Sequence, residues 1–309
     1  HRYPELPGDG TLDTERARAR LGVMRTGTSS VYFAGGEPTL RKDLPALARR
    51  ARDLSYHPIF VNTNGSAIER VLRLPAWRTW LADTDVVIVS LDALDLGELE
   101  RTYDYPRPED VIRNLYLLHA LRGPMRFKLM VNCVLRPGKA RHAREVLALA
   151  EALGIWFCPV PVNVGPRVDR RLGTDPEHAA LVEHILRRKR EGARIIGSER
   201  LNERLLRSAP LECRNTLKPH VDHDGTLFWP CKASVNVEPV KLDVLAHRDV
   251  EALWAHGRRL VEPTRFHGPA KNQCGADCNW AQNYTTDAYA HGLRHPLALL
   301  GELFELGRA

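Results

Sequence analysis

Short apolar runs recur along the chain, and each ends on polar residues. Residues 31–34 run into Gly35-Gly36-Glu37-Pro38, residues 58–61 into Asn62-Thr63-Asn64-Gly65, and residues 86–89 into Ser90-Leu91-Asp92. Residues 127–135 carry Asn132 near their end, and residues 155–162 are followed by Asn163. Unbroken apolar runs of this length fit strands buried on both faces, as in a parallel sheet or barrel. Amphipathic stretches separate them. Residues 11–27 read as a helix that Asp13 or Thr14 can cap, with Leu21 and Met24 facing inward. Residues 40–55 place Leu44, Leu47, Ala48 and Leu54 at helical spacing, and residues 68–81 are helical with Pro75 as an interruption. Further helices are predicted over 109–121 and over 140–153, the latter closed by Gly154.

Five strands alternating with helices, each strand closing on polar residues, predict a parallel α/β barrel or doubly wound sheet. Barrels collect their chemistry at the C-terminal strand ends. Those ends read Gly35-Gly36-Glu37, Asn62 and Asn64, Ser90 and Asp92, Asn132, and Asn163. Two glycines remove Cβ atoms and let a ligand approach the backbone. Taken alone, Gly-Gly also fits an ordinary turn beside a solvated Glu37, and strand-end asparagines also serve to satisfy loop backbone.

Beyond the alternating region the pattern changes. A basic helix is predicted over 175–192, a shorter one over 201–208, and a distinct module begins near Cys213. Residues 220–230 read as a β-hairpin with Asp224-Gly225 at its turn. A hairpin returns its ends to one neighbourhood, so Cys213 and Cys231 can approach one centre, while Cys274 and Cys278 share a tight loop. Four thiolates suit structural Zn²⁺ or an iron–sulfur cluster, and spacing alone does not choose. Cys133 and Cys158 lie inside strand patterns and read as core.

Composition adds bounds. The 309 residues are 43% hydrophobic and 27% charged, ordinary for a soluble chain with room for one large domain and a small appendage. No run approaches the ~20 apolar residues of a membrane span. Six cysteines are too few for a disulfide scaffold, and their clustering points to ligation in a reducing compartment, with the cytoplasm expected. The net charge of +7 comes from arginines scattered over helices, without the aromatic-interleaved stripe that single-stranded nucleic acid uses. A nucleic-acid partner is not indicated.

The segment Gly35-Gly36-Glu37-Pro38 resembles the signature of radical S-adenosylmethionine (SAM) enzymes, and the strand order is similar to that family's from its second strand to its sixth. The resemblance implies a partial (β/α)6 TIM-like barrel, lacking its first strand here, over 1–200, with a small α+β module over 201–309. It implies that Gly35, Gly36, Glu37 and Pro38 hold the methionyl amino group of SAM. Ser90 and Asp92 would face the ribose or methionyl carboxylate, Asn132 the ribose, and Asn62 and Asn64 the cofactor or substrate edge. The family's Cys-x3-Cys-x2-Cys loop for the catalytic [4Fe–4S] cluster is not in this sequence, and those cysteines are expected upstream of His1. Cys213, Cys231, Cys274 and Cys278 resemble a twitch or SPASM-like module, implying one auxiliary [4Fe–4S] cluster. The implied activity is generation of a 5′-deoxyadenosyl radical that abstracts hydrogen from a substrate, with a reductase, ferredoxin or flavodoxin as electron donor. A small-molecule substrate is expected. The alternatives are a SPASM-type peptide maturase and a non-catalytic, metal-stabilised binding protein on a degenerate barrel.

Overall fold

The computed structural model describes residues 12–165, 167–211, 218–232, 239–261 and 279–300. Helix α1 (Thr14–Arg25) starts at Asp13, whose carboxylate accepts the Arg16 N–H, the bond expected of an N-cap. The chain then alternates: β1 (Val31–Phe33), α2 (Leu44–Asp53), β2 (Ile59–Thr63), α3 (Ile68–Leu72), β3 (Val86–Ser90), α4 (Leu96–Tyr103), α5 (Glu109–Met125), β4 (Lys128–Leu135), α6 (Ala140–Ala152) and β5 (Trp156–Pro161). A two-stranded ribbon follows, β6 (Asn163–Val164) with β7 (Arg167–Val168), and then α7 (Pro176–Arg190) and α8 (Glu199–Leu206).

Strands β1 to β5 form one parallel sheet in sequential order, the α/β arrangement that the alternation predicted. Period two along each strand divides the side chains between two faces. Val61, Val87, Val89, Leu129, Val131, Cys133 and Phe157 enter the main core with the helices, where Ala140, Val146 and Leu181 also lie. These strand residues are at most 1% exposed, and full burial of such a side chain contributes about 1.5–3 kcal/mol. The opposite face carries Phe60, Val86, Ile88, Met130, Trp156 and Cys158 in a separate inner cluster. In register across that face, Asn62 meets Ile88, Ile88 meets Met130, and Met130 meets Trp156, while Ser90 meets Asn132 and Asn132 meets Cys158.

The C-terminal part adds β8 (Thr226–Trp229), β9 (Val240–Asp243), α9 (Val250–Leu260) and α10 (Tyr284–Arg294). Strands β8 and β9 are antiparallel, and Leu227, Trp229, Leu242 and Leu253 share a core with Met24 of α1. Arg20 of α1, 4% exposed, donates to the Gly225 carbonyl at 2.8 Å and to Asp243 at 3.1 Å. That closeness dictates Gly225: its φ is +81°, and a Cβ there would stand 2.2 Å from Arg20 Nε.

The structure departs from the sequence pattern in several places. The Asp224-Gly225 turn forms, with Asp222 N–H donating to Thr226 O and Gly225 N–H to Asp222 O. The returning strand, however, takes its ladder from β9, and pairs with Val221 through an isolated bridge. Helix 68–81 breaks after Leu72, and Pro75 opens a short 3-10 turn instead, because its ring cannot continue the helix. Helix α5 runs to Met125, past the predicted end, with Pro124 inside its last turn. Helices α4 and α10 and the β6–β7 ribbon have no counterpart among the predicted elements.

Candidate active site at the C-terminal strand ends

The predicted polar residues converge on one end of the sheet because all five strands are parallel. At the end of β1, Ala34, Gly35 and Gly36 are exposed. Gly35 has φ +133° and nothing within 4 Å of where a Cβ would sit, so this backbone is bare and its shape suits glycine. Pro38 opens the 3-10 turn Pro38–Leu40 and is buried.

Glu37 is not the solvated carboxylate of the simple turn reading. Its Oε1 accepts the Thr39 N–H at 3.0 Å and the Thr39 and Thr63 hydroxyls, both at 2.6 Å. Its Oε2 accepts the Asn64 N–H at 2.6 Å. The side chain therefore clamps the end of β1 to the end of β2 through charge-assisted bonds. Sequence reasoning missed Thr39 and Thr63, whose signal was two hydroxyls at polar strand and turn positions. It also missed Asn114 of α5, 1% exposed, which donates to the carbonyls of Gly65 at 2.7 Å and Ser66 at 3.2 Å and fixes the loop after β2.

The remaining predicted residues separate by surroundings. Asn64 Oδ1 accepts the Ser66 N–H at 2.9 Å, a local turn bond. Asn62, on the inner face, has a buried Oδ1 with no hydrogen-bond partner among the described residues, a group that costs free energy unless a ligand or water satisfies it. Ser90 and Asn132 are half-buried register neighbours on the same face. Asp92 is held otherwise: its carboxylate accepts Val134 N–H at 2.8 Å and the Arg136 guanidinium at 3.2 Å. Burial pushes its carboxyl above the usual range, against the pull of the Val134 N–H and Arg136. Asp92 thus ties β3 to β4. Asn163 Oδ1 accepts the Ala281 N–H at 3.4 Å, linking β6 to the C-terminal segment.

Further groups line the same space. Tyr32 stands on the inner face of β1, stacked on Phe60 at 5.7 Å. It keeps 47% of its surface accessible, yet protein around it pushes the phenol up, with the Cys158 thiol as a second cause. A side chain both accessible and closely surrounded lines an open space, here between the two edge strands. Burial pushes the Cys158 thiol up to about 12, offset in part by Lys218. Burial also lowers the Lys218 ammonium, and burial with the Lys218 and Lys232 charges lowers His220 to about 4. His220 packs on Trp280 with ring centroids 5.5 Å apart. The Lys218–His220 segment and Trp280 therefore bring the C-terminal part against the inner face.

Of the four predicted metal ligands, Cys231 is 4% exposed just beyond β8, while Cys213, Cys274 and Cys278 lie outside the described residues. Among the described residues no group of three or more His, Cys, Asp or Glu could hold a metal ion. Cys133 is fully buried in the main core, as its strand pattern implied, whereas Cys158 faces the inner space. No described helix is long and apolar enough to cross a membrane.

Residues 2–150 match the model of the Radical SAM superfamily. A GTP 3′,8-cyclase of Mycobacterium marinum is 32% identical over 189 residues, covering 58% of this chain and 51% of that protein. A GTP 3′,8-cyclase of Acidothermus cellulolyticus is 33% identical over 137 residues, covering 43% of this chain and 36% of that protein. An Fe-coproporphyrin III synthase of Methanosarcina barkeri is 40% identical over 67 residues, covering 21% of this chain and 16% of that protein. These matches thus span from 16% to about half of each relative's length. The crystal structure of Streptococcus suis SuiB bound to S-adenosylmethionine superposes with a TM-score of 0.61 at 17% identity, covering 87% of this chain and 64% of that one, a likeness of fold.

Proposed function

Residues 2–150 carry a radical SAM superfamily domain, and on that premise we propose that the inner face of the sheet, at its C-terminal strand ends, binds SAM for hydrogen abstraction from a small-molecule substrate. The observation that carries this reading is the Asn62 Oδ1, unpartnered among the described residues, near the bare backbone of Gly35, on the face where Ser90 and Asn132 also stand. An orphaned buried acceptor and a backbone without Cβ atoms fit a polar ligand with donors of its own. SAM, held on a reduced [4Fe–4S] cluster, supplies radical chemistry, and the protein supplies positioning and shielding.

Each residue has a part consistent with its surroundings. The backbone of the exposed residues 34–36 and the remaining lone pair of Glu37 Oε2 take the methionyl ammonium, while the Glu37 clamp keeps that loop in shape. Pro38 stiffens the turn behind it. Ser90 and Asn132 bond the ribose and Asn62 accepts from the cofactor's polar edge. Asp92 and Asn64 act as positioning residues, because their side chains are already committed to Val134, Arg136 and Ser66. Tyr32, Cys158 and His220 wall the substrate side. Cys213, Cys231, Cys274 and Cys278 are the proposed ligands of an auxiliary cluster, with the catalytic cluster on cysteines upstream of His1. The GTP 3′,8-cyclase relatives support a small molecule over a precursor peptide as substrate. The electron donor is a reductase, ferredoxin or flavodoxin.

The test is anaerobic reconstitution of the longer gene product, followed by iron and sulfide analysis and EPR. SAM with a reductant should then yield methionine and 5′-deoxyadenosine. About eight irons in the longer product and about four in this chain fit two clusters and one. Zinc without iron, and intact SAM after reduction, would leave the metal-stabilised binding protein as the reading.

A further inference from the structure

The segment that precedes β8 lays a second set of side chains against the inner face. Cys158 faces that space from β5, the edge strand opposite β1, with Asn132 of β4 as its register neighbour. Tyr32 faces it from β1. Lys218 and His220 reach it from the C-terminal part. His220 packs on Trp280, and the next residue, Ala281, donates its N–H to Asn163 Oδ1 just beyond β5. Lys218 stands on this β5 side, within electrostatic reach of the Cys158 thiol.

The lysines of this region are not equivalent. Lys232 pairs with Asp222 at 3.6 Å and lies 5.5 Å from the centre of the Phe228 ring. Lys241 pairs with Asp224 at 3.0 Å. Lys218 is half-buried and makes no hydrogen bond or ion pair with a described residue. Its described neighbours supply no countercharge. Burial holds the Cys158 thiol up at about 12, so it is neutral near neutral pH, and His220, lowered to about 4, is neutral there too. A closely surrounded ammonium without an acid costs free energy, and burial already draws Lys218 below the ordinary lysine range. An anion brought by a ligand would offset that cost.

On the SAM-binding reading of the inner face, we propose that Lys218 binds an anionic group of the substrate, a carboxylate or a phosphate, and thereby sets the class of molecule this site accepts. The proposed SAM ligands lie at the ends of β1 to β4, and Lys218 stands beyond them at β5, so an anion held there leaves the rest of the molecule to extend across the inner face. A single ammonium is a compact point charge that suits either anion. The neutral thiol and imidazole beside it do not compete for that charge, and a cationic substrate would be repelled.

Reductive methylation with isotopically labelled formaldehyde keeps every lysine charged and gives each an NMR signal. The Lys218 signal is the one missing from both Lys218→Met and Lys218→Arg, and the exposed Lys42, assigned through Lys42→Met, is the reference. The full protein is titrated with sodium acetate and with inorganic phosphate, against sodium chloride at matched ionic strength. One or both anions should move the Lys218 signal saturably, with half-saturation on the order of millimolar, as a single charge-assisted contact gives, while Lys42 stays in place. The tighter response, to acetate or to phosphate, assigns a carboxylate or a phosphorylated substrate. A Lys218 signal that follows ionic strength alone, that moves in parallel with Lys42, or that never forms because the amine resists methylation would overturn the proposal. The readout needs neither a reduced cluster nor SAM cleavage. SAM cleavage without a Lys218 response would therefore remove this proposal alone, and a Lys218 response without SAM cleavage would leave the anion site standing and remove the radical reading.

Discussion

Replacing Glu37 by glutamine changes one oxygen to an NH2 group and nothing else in shape, so it isolates what the carboxylate does. Two of its four donors are fixed backbone N–H groups, and they sit on different oxygens: Thr39 N on Oε1 at 3.0 Å and Asn64 N on Oε2 at 2.6 Å. The Thr39 and Thr63 hydroxyls can rotate to accept instead of donate, but the two amides cannot. Whichever way the substituted side-chain amide lies, its NH2 faces one backbone N–H. One charge-assisted bond is lost and one part-buried donor is left unmatched, a cost of about 1.5–3 kcal/mol. Urea unfolding followed by circular dichroism should show a lower midpoint at unchanged slope. Amide exchange should accelerate locally at Thr39 or Asn64. If unfolding and exchange match the parent protein, whatever happens to SAM affinity, the clamp reasoning is wrong.

Three other changes probe the surroundings. Asn114→Ala removes the bonds to Gly65 O and Ser66 O and the acceptor of Glu69 N–H, so stability should fall by about 2–4 kcal/mol; an unchanged urea midpoint would refute this. In Gly257→Ala the new Cβ would stand 2.5 Å from the buried Trp229 ring, and overpacking should cost about 1–3 kcal/mol in thermal unfolding, whereas a neutral result would mean that α9 shifts freely. His220 has a pKa lowered from 6.5 to about 4, so between those values the folded state binds fewer protons than the unfolded state. Stability present above pH 6.5 is therefore lost as the pH falls through that window, on the order of 2–3 kcal/mol. His220→Gln should flatten the acid limb measured by urea unfolding, and an identical slope in both proteins would exclude His220 as its source.

Much of the frame was legible in the sequence. The apolar runs that became β1 to β5 are continuous, and continuity on both faces is what a covered parallel sheet demands. Their polar endings marked the functional edge, because parallel strands bring every C-terminus to one side. The cap at Asp13 and the break at Pro75 were also readable, since both act through bonds within a few residues. Helix α4 was not recovered, although Asp95 accepts the Glu98 N–H as its N-cap, because Leu99 is its one fully buried residue and the apolar stripe is too thin to register.

What each polar residue does was decided by neighbours far away in the chain. Glu37 and Asp92 look like exposed strand-end carboxylates until Asn64 and Arg136 arrive, 27 and 44 residues later, and occupy them. Asn62 looks the same in sequence as Asn64, but the pleat turns Asn62 to the inner face, where no donor among the described residues reaches its oxygen. Lys218 likewise comes within electrostatic reach of Cys158 only because the segment before β8 folds back onto β5. Periodicity is a local property and fixes elements. Hydrogen-bond satisfaction and charge balance are sums over whatever the fold brings within a few ångströms, so they belong to the tertiary structure.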